Sequence, residues 1–303
     1  MFYIAFDYLS VQPTTFSPYH GGGKYGKIIL KELLTRVSSI ILFYSEKLPH
    51  TELDSLQKKY PEIILANLDK SETWDKVFST YKISCIYLPI PFSRLYKQFS
   101  NKFPKNIRVV GTIHGLRNLE AIPTLDSFKY RVPFKGFLRT IMEYIKSRIP
   151  GSLDKIKKEW KKLVERKNYE YFVVSYHTQK AIKNFLPNQN PKVFYSPSVI
   201  EKRNYNEVRE PYFLLVSGNR WEKNNLIAIR VLDELFSEKK ISENFFVIIT
   251  GVKDLTSFRY KIKNPTRFKC VGYVPEDNFP LLYTKAFAFI YPSLSEGFGY
   301  PIL

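Results

Sequence analysis

The sequence predicts an α/β fold with two parallel sheets, each built from βαβ units. Three observations carry this. Apolar runs of strand length recur along the chain, and they are apolar on both alternations, as strands covered on both faces are. Stretches with helical spacing separate these runs. The 303 residues suffice for two domains, at about 100–200 residues per domain. The composition, 44% apolar and 25% charged, is near the globular average and excludes a mainly disordered chain.

The elements follow in order. Met1 to Asp7 is a short apolar run cut by an acid, which reads as a buried first strand and not as a signal peptide. Further strands are expected at Ile40–Tyr44, Cys85–Leu88, Val109–Ile113 and Tyr171–Val174, then at Tyr212–Val216, Phe245–Ile249, Phe268–Val271 and Ala286–Tyr291. Ser175 is placed to cap a helix running through Ala181, Ile182 and Phe185. Asn225 is placed to cap another, with Leu226, Ile229, Val231, Leu232 and Leu235 at its apolar positions. The polar stretch Glu201–Pro211 marks a boundary, giving domains at 1–205 and 206–303. The second is short for a doubly wound domain, and the chain stops in mid-pattern, so it reads as a truncated piece.

Residues 116–170 interrupt the alternation as a basic helical insert in the first domain. Leu138, Ile141, Met142, Ile145 and Ile149 follow helical spacing, as do Leu153, Ile156, Trp160, Leu163 and Val164 after a Ser152 cap. Phe128–Lys167 holds 13 Lys or Arg against four acids, Glu143, Asp154, Glu159 and Glu165. A basic amphipathic helix with an interfacial Trp can lie on an anionic membrane. The same pattern fits a solvated face on a helix packed against its own domain.

The whole chain has 47 Lys or Arg against 28 Asp or Glu, a formal net charge of +19. Such a surplus attracts nucleic acid, an anionic membrane face or phosphorylated substrates, although a low-GC coding sequence also enriches Lys, Phe and Tyr. Cys85 and Cys270 are far apart and His20, His50, His114 and His177 lack metal spacing, so no disulfide framework or metal centre is expected. No window reaches the ~18 apolar residues of a membrane span. A reducing cytoplasm is the expected setting.

Four segments could carry chemistry. Gly21, Gly22 and Gly23 precede a helical pattern, and a Gly-rich loop opening a helix lets backbone approach a phosphate; a flexible turn fits equally. His114 ends a strand, where ligands of open α/β sheets bind; a structural His fits there too. Ser217–Asn225 follows a strand and precedes a helix, putting Arg220 and Lys223 beside a helix N-terminus as a diphosphate site. The fourth joins Gly272-Tyr-Val-Pro275 to the strand Ala286–Tyr291 and to Glu296-Gly-Phe-Gly-Tyr-Pro301.

These segments resemble glycosyltransferase family 4, retaining enzymes of the GT-B fold with two Rossmann-like domains. Glu296 to Leu303 matches the first eight positions of the family motif E-G-F-G-x-P-x-x-E, and the chain ends one residue before its second Glu. The C-terminal Rossmann-like domain is therefore expected to be incomplete. Gly272-Tyr-Val274-Pro resembles the base-binding segment, Arg220 and Lys223 the diphosphate pair at tighter spacing, and His114 the donor-sugar His, although Gly115 follows where Asp is common.

The resemblance implies transfer, with retention, from a nucleotide-diphosphate sugar to a glycan or lipid-linked acceptor in surface polysaccharide synthesis. His114, Arg220, Lys223 and Glu296 are the implied catalytic residues. Gly22, Gly23, Val274, Gly297, Phe298 and Gly299 complete the donor site with Arg220, Lys223 and Glu296. No cofactor or metal is expected; no D-x-D pair is present and the nearest acids, Glu276 and Asp277, sit in a turn. Expected partners are the nucleotide sugar, the acceptor and an anionic membrane surface met through 128–167, at the inner face of the membrane, with no nucleic acid. A degenerate, non-catalytic homologue and a basic nucleic-acid-binding protein are the competing readings.

Overall fold

The computed structural model describes residues 2–13, 21–49, 51–130, 134–197, 208–275, 278–299 and 301. His20, His50, residues 201–207 of the expected boundary, Glu276, Asp277, Tyr300, Ile302 and Leu303 lie outside them.

The first sheet and its helices comprise β1 (Tyr3–Asp7), α1 (Gly21–Arg36), β2 (Ile40–Tyr44), α2 (Thr51–Lys59), β3 (Ile64–Asn67), α3 (Thr73–Thr80), β4 (Ile83–Leu88), α4 (Arg94–Phe99) and β5 (Arg108–Ile113). Next come α5 (Arg117–Glu120), α6 (Phe134–Arg148), α7 (Ser152–Val164), β6 (Tyr169–Val173), α8 (Tyr176–Phe185) and β7 (Lys192–Val193). The second sheet and its helices comprise β8 (Glu210–Leu215), α9 (Asn225–Ser237), β9 (Phe246–Thr250), β10 (Phe268–Gly272), α10 (Phe279–Lys285) and β11 (Ala286–Phe289). Strand order is β3-β2-β1-β4-β5-β6-β7 in one sheet and β10-β9-β8-β11 in the other, and every strand pair is parallel. Each expected strand forms to within a few residues, and β3 and β7 are added.

The chain divides into two units that are not contiguous in sequence. One holds Met1–Leu116, Lys157–Ser198 and Gly297–Leu303, and the other holds Arg117–Ile156 and Val199–Glu296. The sequence reading draws one boundary near residue 205 and keeps 116–170 with the first domain; in the structure the contacts of Arg117–Ile156 are with the second sheet's unit. The physical reason is visible at Tyr130. Its ring is buried among Leu226, Ile229, Val247 and Phe258, and its hydroxyl accepts from the Leu226 N–H at 2.8 Å. That N–H is one of the orphan donors of the first turn of α9. Asn224, at the N-cap, is left-handed with φ 55° and gives no side-chain cap. Asn225, the residue expected to cap, is already helical. Its amide instead donates to the Val216 carbonyl at 2.7 Å and pins α9 to the end of β8.

In the first unit, α1 lays Leu30 and Leu34 against Phe6, Ile40 and Leu42. Across the sheet, Trp74 stacks on Phe43 and Phe99. In the second, Leu226, Ile229, Leu232 and Phe236 of α9 cover Leu215, Val247 and Ile249. Ser175 caps α8 as expected, accepting from the Thr178 N–H. The helix α7 begins at Ser152 itself rather than after it. Trp160 is not interfacial: it is 5% exposed and meets the Phe92 ring edge-on at 4.7 Å. No helix among the described residues is long and apolar enough to cross a membrane.

Candidate active site

An open parallel sheet binds ligands at the carboxyl ends of the two strands where its order reverses. In the second sheet those strands are β8 and β11. The turn after β8 carries Arg220 and Lys223, and the segment after β11 carries Glu296. Two cations and one acid that are distant in sequence thus share one sheet edge.

The turn is shaped by its backbone. Ser217 takes a left-handed φ of 56°. Gly218 donates its N–H to the Thr250 carbonyl at 2.7 Å, and a Cβ on it would lie 2.7 Å from the Ile249 side chain. A 3₁₀ turn over Trp221–Lys223 then leads into α9. This turn buries two charges of opposite sign, Glu222 at 7% and Lys223 at 6% exposure, which buried charges tolerate only when paired.

Lys223 is paired with Glu296. Its Nζ contacts Glu296 Oε1 and the Tyr291 hydroxyl at 2.6 Å. The same carboxylate oxygen accepts from the Tyr291 and Ser293 hydroxyls. Burial works to raise the Glu296 carboxyl, but the donors Lys223, Ser293 and Tyr291 together hold it below its ordinary pKa. Burial pulls the Lys223 ammonium down, against the opposing pull of Glu296. Burial and Glu296 push the Tyr291 phenol up, so it stays a donor.

Glu222 is the hub of a second cluster. Its Oε1 accepts from Arg220 Nε at 3.0 Å and from Arg117 at 2.7 Å. Burial opposes the ionisation of Glu222, yet Arg220 and Arg117 outweigh it and hold the carboxyl low. Arg117, Arg220 and Lys223 against Glu222 and Glu296 leave one net positive charge at a sheet edge. Arg220 keeps 44% of its side chain exposed. The arrangement suits an anion that takes hydrogen bonds from Arg220 and Lys223 while a hydroxyl-bearing group meets Glu296.

Val274 lies just past β10 in the same unit and is buried at 8% exposure. It follows the sharp turn at Gly272, where φ is 67° and the Gly272 N–H donates to the Val252 carbonyl.

In the first sheet the order reverses between β1 and β4. Pro89 follows β4, and its carbonyl accepts from His114 Nε2 at 2.8 Å. The His114 ring meets Tyr25 of α1 edge-on at 4.7 Å, and the Tyr25 hydroxyl bonds Thr112 at 2.9 Å. One ring contact and one hydrogen-bond acceptor thereby hold the imidazole at the carboxyl end of β5. Gly22 and Gly23 lie in the first turn of α1 itself, not in a loop before it. Asp7, at the end of β1, is fully buried; burial pushes its carboxyl up to about 6, with Ser93 and Ser10 donors opposing.

Gly297 closes on His114 from the far end of the chain. A Cβ there would clash with the His114 carbonyl oxygen, so only glycine fits. The Gly297 carbonyl accepts from the Ser175 hydroxyl at 2.5 Å and from Thr178 at 3.3 Å. Phe298 lies near the Tyr195 ring at 6.2 Å, and Gly299 is buried with φ 84°.

The site residues expected from sequence therefore fall into two groups. Arg220, Lys223 and Glu296 come together with Glu222 as an unassigned partner, and Val274 shares their unit. His114, Gly22, Gly23, Gly297, Phe298 and Gly299 belong to the other. Arg117, Glu222, Tyr291 and Ser293 were missed as site residues. Glu222, Tyr291 and Ser293 each stand beside a residue or motif already singled out, whereas nothing in the sequence ties Arg117 to Glu222. Among the described residues no group of three or more His, Cys, Asp or Glu could hold a metal ion.

Comparison with known proteins bears on the family and the fold. Residues 198–303 match the family described as glycosyl transferases group 1. A stretch of 33 residues is 58% identical to O-antigen chain mannosyltransferase B of Escherichia coli, covering 11% of this chain and 9% of that protein. The chain thus spans a small part of that curated relative. The fold is similar to lipopolysaccharide outer core galactosyltransferase WaaB, at TM-score 0.53 and 12% identity over 99% of this chain and 76% of that one. It is also similar to WaaG, a glycosyltransferase involved in lipopolysaccharide biosynthesis, at TM-score 0.51 and 11% identity over 97% and 76%. The chain has a GT-B-like α/β fold, and its residues 198–303 match the glycosyl transferases group 1 family.

Proposed function

We propose that the protein transfers a sugar from a nucleotide-diphosphate donor to a glycan or lipid-linked acceptor in surface polysaccharide synthesis. The observation that carries this is the Lys223–Glu296 pair at the order reversal of the second sheet, within the segment matched as glycosyl transferases group 1. The O-antigen and lipopolysaccharide enzymes among the similar proteins support the polysaccharide setting.

In this reading the donor diphosphate replaces Glu222 and Glu296 as the partner of Arg220 and Lys223. The two cations neutralise charge that builds on the leaving diphosphate, an electrostatic contribution of the kind that dominates many such sites. Glu296, released from Lys223, accepts hydrogen bonds from sugar hydroxyls. The backbone N–H groups of Gly297, Phe298 and Gly299 orient the sugar and phosphate, and Val274 borders the base. His114 stabilises an oxocarbenium-like state at the sugar. Retention of configuration is supported by the motif resemblance around Glu296, and the reading uses Arg220 and Lys223 where other transferases use a metal.

The test is turnover of the R220A/K223A variant, followed as release of nucleoside diphosphate from a panel of UDP-, GDP-, ADP- and dTDP-sugars. The expected loss is roughly a thousandfold, the scale seen when charge-stabilising groups are removed from such sites. Near-normal turnover would refute the diphosphate role.

A further inference from the structure

The two basic amphipathic helices behave in opposite ways. In α7 the apolar stripe is turned inward, with Trp160, Leu163 and Val164 all buried. In α6 it is turned outward. Phe134 is 73% exposed, Leu138 41%, Met142 52% and Ile145 52%, and Ile149 just past the helix is 53% exposed. At 100° per residue these five positions fall within an arc of about 80°, so they form one stripe and not scattered surface residues. The opposite side of α6 is the packed one. Thr140 is buried, Tyr144 meets the Phe128 ring edge-on at 5.1 Å, and Arg259 lies over the Phe137 ring. The helix is therefore docked to its own unit by Phe137, Thr140 and Tyr144, and its aliphatic face is left to solvent. A contiguous exposed apolar stripe marks an interaction surface.

The charges beside the stripe say what the surface fits. Arg139, Lys146 and Arg148 of α6 are all exposed, against one acid on that helix, Glu143, which Arg139 already engages. An aliphatic stripe bordered by bases matches an anionic lipid surface, where apolar side chains enter the acyl boundary and bases meet the headgroups. We infer that α6 is a membrane-docking helix that seats the protein on an anionic bilayer through Phe134, Leu138, Met142, Ile145 and Ile149. The inference goes beyond the proposed sugar transfer and does not depend on it.

The test is co-sedimentation of the whole chain with vesicles of phosphatidylcholine alone and of phosphatidylcholine mixed with phosphatidylglycerol. The chain is expected to bind the mixed vesicles, to bind the neutral ones weakly, and to lose binding as salt rises. The variant L138S/M142S/I145S replaces exposed side chains only, and is expected to keep its circular dichroism and lose binding to mixed vesicles at least about tenfold. Binding that ignores lipid charge, binding unchanged in the variant, or no binding to either vesicle would overturn the inference. So would a sedimentation velocity result in which the stripe holds two copies of the chain together and the variant separates them. No sugar transfer enters the readout, so failure here leaves the catalytic reading where it stood.

Discussion

Lys223 and Glu296 show how single residues are held ready at this site. Each would be costly to bury alone, and each satisfies the other. The pair also explains why Tyr291 and Ser293 are hydroxyl-bearing: both donate to the carboxylate that Lys223 faces. An Asp of the first sheet is set the opposite way. Asp7 lies at the end of β1 with no cation among the causes of its shift, and burial raises its carboxyl to about 6 from 3.8. A raised carboxyl costs stability once ionised. The cost is absent below the unfolded pKa, grows as pH rises from about 4 to about 6, and then levels at about 3 kcal/mol. The D7N variant keeps the shape without the charge. It is expected to be more stable than the parent in urea, with a gain larger near pH 7.5 than near pH 4.5. A gain that does not change with pH would contradict the shifted carboxyl.

At the level of elements, strand ends and helix starts place the chemistry. The strands were legible because each carries a mostly apolar run: Ile40–Tyr44 forms a strand with those bounds, and the run Val109–Ile113 delivers His114 to a sheet edge. Cap positions were legible only where the side chain decides them. Ser175 caps α8 through its own hydroxyl. The start of α9 is decided by Tyr130, nearly a hundred residues away in sequence, and no local pattern announces that bond. The helices α6 and α7 both carry apolar residues at helical spacing and a surplus of bases, and periodicity cannot say which stripe finds a neighbour. Trp160 was therefore misread as interfacial, and the exposed stripe fell to α6. The segment after β11 makes a sharper prediction. Gly297 sits against the His114 carbonyl and is held by Ser175 and Thr178. The G297A variant forces that segment off His114, with an expected stability loss of about 1–3 kcal/mol from overpacking, read as a lower midpoint in urea. An unchanged midpoint would contradict the close approach.

At the scale of the whole molecule, the fold repeats one device. Two parallel sheets each reverse their strand order once, at β1 and β4 and again at β8 and β11. The residues singled out by the motifs gather at carboxyl ends of strands in both. What the sequence conveyed of this was the strand series and the chemistry of Arg220, Lys223 and Glu296. It did not convey that 117–156 would pack with the second sheet, because Tyr130 and Phe258 meet only in the folded chain. Of the formal charge of +19, α6 and α7 each hold a surplus of bases over acids, while the Arg117–Arg220–Lys223 edge keeps one net positive charge against Glu222 and Glu296.

The central claim is that Arg220 and Lys223 bind a nucleotide diphosphate. It is tested most directly by thermal unfolding of the chain with UDP, GDP, ADP and dTDP, beside the R220A/K223A variant. A ligand at 100 times its Kd adds about 2.7 kcal/mol, which raises Tm by several degrees in a chain of this size. The account predicts that one of these nucleotides stabilises the parent chain and leaves the variant unmoved. No stabilisation by any of them, or an equal shift in the variant, would contradict it.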